Sequence, residues 1–137
     1  MLLTALIVVA YASGLQAMAA PFCATCALLA LMPNAPFSSP RTLWLSHLVC
    51  IGSGVLFAAL PLPTLLAVLL AAWLSITAMS LLRVVHAPAV AHTVILSLGM
   101  QQTFVYAIGA FATALGFALF TLIESRQRDA KSAVSEQ

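Results

Sequence analysis

No carboxylate occurs before Glu124, and only Arg41 and Arg83 carry a fixed charge in the first 123 of 137 residues. Charged residues make up 6% of the chain, whereas a soluble domain carries about 25%. The missing acids exclude an acid/base dyad or a Ser-His-Asp set, so the sequence points away from an enzyme. They also exclude a cation pathway or a proton relay built on carboxylates. With 64% hydrophobic residues, no core of this length hides its apolar surface from water, so lipid covers the outside. The chain is read as an integral membrane protein, and its net charge of +2 is a topology signal without bearing on nucleic acid.

Cysteine is also sparse. Cys23 and Cys26 form a C-x-x-C, and His47-x-x-Cys50 has metal-like spacing. A shared metal site needs both pairs at one bilayer depth, which the topology below opposes. No metal or cofactor is expected.

What is present is apolar length. Stretches near 2–20, 42–60, 64–84 and 103–123 are each long enough for a hydrocarbon core of about 30 Å. Two shorter runs, 22–32 and 89–99, each follow a proline, Pro21 or Pro88, the residue best tolerated in a helix's first turn. The expectation is an all-α polytopic bundle with four long transmembrane helices and two short broken ones. The N-terminal run ends in an A-x-A-like pattern but lacks a basic start, so it reads as a retained helix.

Residues 2–31 align with 69–98 at an offset of 67, with Ala20-Pro21 falling on Ala87-Pro88. The transmembrane domain, 1–123, then divides into inverted halves of about 1–60 and 64–123, followed by a flexible cytoplasmic tail, 124–137. Paired interrupted segments are a pointer to a transporter's binding site. Gly52, Gly54, Gly109 and Gly116 are read as sites of close helix packing.

The stretch RVVHAPAVAHTVI, 83–95, concentrates the polar chemistry. Pro88 and Ala89 begin a short helix whose first N–H groups have no internal acceptor and whose dipole favours an anion. His86 precedes that end, His92 lies a turn inside, and Arg83 closes the previous helix. The structural alternatives are a snorkelling Arg83, a carbonyl-bonded His92 and a capping His86.

SSPRTLWLSH followed by MSLLRVVHAPAVAHTVI resembles the HPP family of small integral membrane proteins. That family is named for a His-Pro-Pro motif after a membrane helix and also carries a Pro-Arg ahead of a Gly-His pair. On this resemblance Pro40, Arg41 and His47 match the early motif, and Met79, Arg83, His86, Pro88 and Ala89 the later one. Ala87, Val90 and Ser46 stand where the family has Pro, Gly and Gly. Plastid and cyanobacterial members are associated with nitrite transport. The resemblance thus implies a transporter or channel for a small inorganic anion, with nitrite the leading candidate. The alternative is a non-transporting subunit whose polar residues fix helix packing. The expected partners are the bilayer, the anion and, given the small chain, a second copy in a homodimer.

If each short run completes a crossing, six passes place Arg41, Arg83, Arg126, Arg128 and Lys131 on one face with both termini. The positive-inside rule favours this count and makes that face cytoplasmic in a bacterial inner membrane; if the short runs dip and return, the tail lands opposite Arg41 and Arg83. A C-terminal alkaline-phosphatase fusion should therefore be inactive, and periplasmic activity of that fusion would overturn the topology.

Overall fold

Lipid offers backbone amides no hydrogen-bond partner, so an apolar chain satisfies them inside helices. The computed structural model describes residues 2–99 and 102–135, and among them there is no strand. The helices are α1 (Leu2–Ala12), α2 (Ala19–Leu31), α3 (Pro40–Ala58), α4 (Thr64–Leu82), α5 (Val90–Ser97) and α6 (Thr103–Ser135). Single 3₁₀ turns, Gln16–Met18, Pro36–Ser38 and Ala87–Ala89, lead into α2, α3 and α5.

Among the described residues three helices are long and apolar enough to cross a membrane: Pro40–Ala58, Thr64–Leu82 and Thr103–Gln127. The fourth long helix expected over 2–20 is broken. Gly14, with φ 72°, ends α1; its N–H bonds Tyr11 and the Leu15 N–H bonds Ala10, the paired pattern of a Schellman cap. Pro21 consequently does not open the short helix. It lies in the first turn of α2, which the Gln16–Met18 turn has already started, and a missing N–H is harmless there. Pro88 does stand at the expected place, inside the turn that opens α5.

The second break uses the same cap with a less suitable residue. Arg83 takes the left-handed conformation, φ 56°, with the Arg83 N–H on Ser80 and the Val84 N–H on Met79. For a side chain with a Cβ this conformation costs about 1–2 kcal/mol.

Successive helices run in opposite senses. Met18 touches Gly109 of α6, whereas the Met32 carbonyl at the other end of α2 accepts from Ser38 ahead of α3. His86 bonds the Phe37 carbonyl, while Ser97 and Gly99 share a cleft with Phe57, Thr64 and Thr103. The segment through α5 therefore carries the chain from one end of the bundle to the other instead of dipping and returning. Thr121 and Ser125 line a cleft with Pro33 to Pro36 and Ser38 to Pro40, so α6 leaves the bundle at the end that holds Arg41 and Arg83. Its backbone stays helical through the polar stretch to Ser135; residues 136–137 of the tail lie outside the described residues.

Central α3 packs on α4, α5 and α6. Between α3, α4 and α5 the Thr93 hydroxyl donates to the Cys50 carbonyl at 2.9 Å and lies 2.8 Å from the Ser75 hydroxyl, which also meets the Ala71 carbonyl at 2.8 Å. The outward faces, including Trp73, Leu65, Leu81 and Ile108, are exposed and apolar, as a lipid-covered surface requires.

Of the four glycines expected at close contacts, two serve that purpose. A Cβ on Gly54 would lie 2.8 Å from Leu96 Cβ and 3.1 Å from Thr93 Cα; one on Gly109 would lie 3.0 Å from Leu15. Gly52 and Gly116 face open space. An interhelical hydrogen bond in a membrane is worth about 0.6 kcal/mol, whereas overpacking costs about 1–3 kcal/mol, so fit at Gly54 governs how α5 seats on α3. Gly54→Ala should lower the melting temperature in detergent while Gly52→Ala leaves it unchanged or raises it; equal effects would remove this account of the α3–α5 contact.

Candidate functional site

Three buried imidazoles from three parts of the chain meet inside the bundle. His47 comes from the second turn of α3, His86 from the extended residue before the Ala87–Ala89 turn, and His92 from the first turn of α5. All three are fully buried. The ring centroids of His47 lie 5.3 Å from those of His86 and 5.2 Å from those of His92.

Phe22 of α2 holds the group together. Its ring stacks on His47 at 5.1 Å and 2°, and on Phe117 of α6 at 5.5 Å and 9°, and it lies tilted 4.7 Å from His92. One turn along the same face of α2, the Thr25 hydroxyl is 3.0 Å from His86 Nε2 and also 3.0 Å from the Pro21 carbonyl. Because His86 Nδ1 donates to the Phe37 carbonyl at 3.0 Å, a neutral His86 takes the Thr25 proton at Nε2. A charged His86 instead donates to Thr25, whose proton then turns to Pro21. Thr25 accommodates either state without losing the contact.

The other two rings keep a nitrogen in reserve. His47 Nδ1 donates to the Leu43 carbonyl at 2.8 Å, and His92 Nδ1 lies 2.9 Å from the Tyr106 hydroxyl of α6. Nε2 of His47 and Nε2 of His92 are buried without a hydrogen-bond partner. A buried polar atom left unpaired costs about 1–3 kcal/mol, and here two lie on neighbouring rings.

The remaining sequence-derived residues are distributed around this cluster. The Ala89 N–H bonds the His86 carbonyl at 3.1 Å and the Val90 N–H bonds the Ala87 carbonyl. These amides are therefore engaged, and the imidazoles are the groups with spare capacity. Pro88 is half-buried between them. Arg83 is exposed and lines an open cleft of about 480 Å³ with Pro36, Phe37, Thr42, Ser80 and Val85. Phe37, which lines that cleft, also anchors His86 through its carbonyl. Arg41 is exposed on the first turn of α3, away from the imidazoles it precedes. Cys23, Cys26 and Cys50 are free thiols, and among the described residues no three His, Cys, Asp or Glu side chains are disposed to hold a metal ion.

Sequence reading missed Phe22, Thr25 and Tyr106 as site residues. The spacing of Phe22 and Thr25, three residues apart on one helical face, was the available signal; nothing local marks Tyr106.

No curated protein and no solved structure matches the chain. The family profile described as HPP, transmembrane region, matches residues 1–131, a span that includes all three histidines, both Schellman breaks and the full length of the bundle. That membrane family is associated with transport rather than catalysis, and the chain belongs to it.

Proposed function

We propose that this protein is a transporter or channel for a small inorganic anion, with nitrite the best single candidate. It acts in the bacterial inner membrane with both termini cytoplasmic and pairs with a second copy. The observation that carries the reading is the pair of unpartnered Nε2 atoms on His47 and His92, held in a carboxylate-free interior. Arg83 supports it from outside. An arginine held in a strained left-handed cap beside an open cleft raises the local concentration of anions at the entrance. The inverted-halves arrangement is retained in the same proposal, since α1–α3 and α4–α6 begin in opposite senses, as an inverted pair requires.

The packing-subunit reading draws on the Ser75–Thr93–Cys50 and Thr25–His86 contacts, which do tie helices together. It gives no use to the two Nε2 atoms, so transport is the better account.

Mutations at the cleft and the cluster separate the two. His86→Ala should lower nitrite uptake into vesicles while the protein remains inserted and folded. A focused positive field raises local anion concentration about ten- to a thousandfold, so Arg83→Gln should reduce uptake about tenfold or more, and Arg83→Lys less. Arg83→Gly should raise thermal stability by relieving the left-handed strain, by about 1 kcal/mol, yet still lose uptake. Variants that lose stability and uptake together, Arg83→Gly included, would favour the packing role.

A further inference from the structure

The two unpartnered nitrogens differ in kind, and the difference restricts what the site accepts. The Leu43 carbonyl can only accept, so the His47 N–H sits on Nδ1 and Nε2 presents a lone pair. Tyr106 is fully buried with its hydroxyl on His92 Nδ1. Were His92 the donor, the phenolic proton would be buried without an acceptor among the described residues. Tyr106 therefore donates, and the His92 N–H sits on Nε2. The cluster offers one acceptor and one donor on neighbouring rings 5.2 Å apart.

A bare anion satisfies the donor and meets a lone pair at the acceptor. A neutral oxyacid satisfies both, giving its O–H to His47 and accepting from His92 through its other oxygen. If the proton then moves, the acid O–H bond breaks and an Nε2–H bond forms on His47. The anion is left between two N–H donors, and the total charge is unchanged. Either way the site holds one anion and one proton.

The surroundings require the same balance. The titratable groups facing His47 are His86 from the segment before α5 and His92 from α5, with Tyr106 of α6 behind His92; α2 presents Phe22. No carboxylate precedes Glu124, and Arg41 and Arg83 are exposed. Among the described residues nothing near the cluster neutralises a lone charge, and an uncompensated buried charge costs several kcal/mol.

Resting on the small-anion reading, we infer that the substrate crosses as an anion together with a proton, without net charge, and that His47 Nε2 is the atom that receives the proton. The substrate class is then the conjugate base of a weak oxyacid, such as nitrite or formate. Nitrate, whose acid is strong, is rejected.

The test uses the full chain in proteoliposomes carrying a trapped pH dye, with the potential set by a potassium gradient and valinomycin and with protein-free vesicles subtracted. Nitrite and formate pulses should acidify the lumen by about one proton per anion, as the neutral pairing requires. An imposed potential of about 100 mV shifts the equilibrium accumulation of a bare anion about fiftyfold; here it should leave accumulation unchanged, and nitrate should not enter. Potential-dependent accumulation without acidification, or nitrate entry equal to nitrite, would overturn the coupling and leave anion transport standing. No protein-dependent flux of any of the three would remove both. His47→Gln, which cannot take the proton, should abolish coupled uptake; unchanged acidification in that variant would overturn the assignment of the atom. The coupling itself is read from the unmodified protein and does not depend on that variant folding.

Discussion

The hydrogen bond from His47 Nδ1 to the Leu43 carbonyl, 2.8 Å long and one turn back along α3, sets the terms for the interior. It uses the only N–H of a neutral imidazole on the main chain and leaves a buried lone pair facing inward, in a part of the chain without a carboxylate. The neighbouring elements are arranged around that ring. Phe22 stacks on it, Phe117 stacks on Phe22, and His86 and His92 approach it from either side of the Ala87–Ala89 turn. Seating α5 so close to α3 depends on Gly54, where a side chain would meet Leu96 and the Thr93 backbone. The short helix and the polar cluster are thus one construction: α5 is short because the chain must turn at Arg83, extend through His86 and still deliver His92 to the centre.

Much of this was legible in the amino-acid order. The segregation of charge and the length of the apolar runs established a membrane helical bundle, and Pro88 located the start of α5. The Pro-Arg and His-Ala-Pro stretches marked the family and carried His47 and His86, while His92 was read from its place a turn inside the short helix. The break in the first helix was hidden because hydropathy averages over Gly14, whose role is conformational. Pro21 drew attention as the mirror of Pro88, yet a proline in a first turn is compatible with a helix that has already begun.

The candidate site was only half visible for a related reason. Arg83 stands three residues from His86 in sequence, but a left-handed cap and an extended segment separate them, leaving the guanidinium exposed while the imidazole is buried. Thr25 and His86 are 61 residues apart, and Tyr106 reaches His92 across the loop between α5 and α6. Such contacts depend on how helices register against one another, which periodicity does not encode. The engaged amides of Ala89 and Val90 likewise became evident only once the 3₁₀ turn was seen to supply their acceptors.

Placing function at the imidazoles gives the outer arginine and the inner histidines different tasks. On the proposed function Arg83 attracts anions at the open cleft and the buried cluster selects among them. The central claim is the donor and acceptor pattern of the cluster, and nitrogen-15 solid-state NMR of the histidines in lipid bilayers reads it directly. Without substrate, His47 and His86 should show the N–H on Nδ1 and His92 should show it on Nε2. An N–H on Nε2 of His47, or on Nδ1 of His92, would contradict the account.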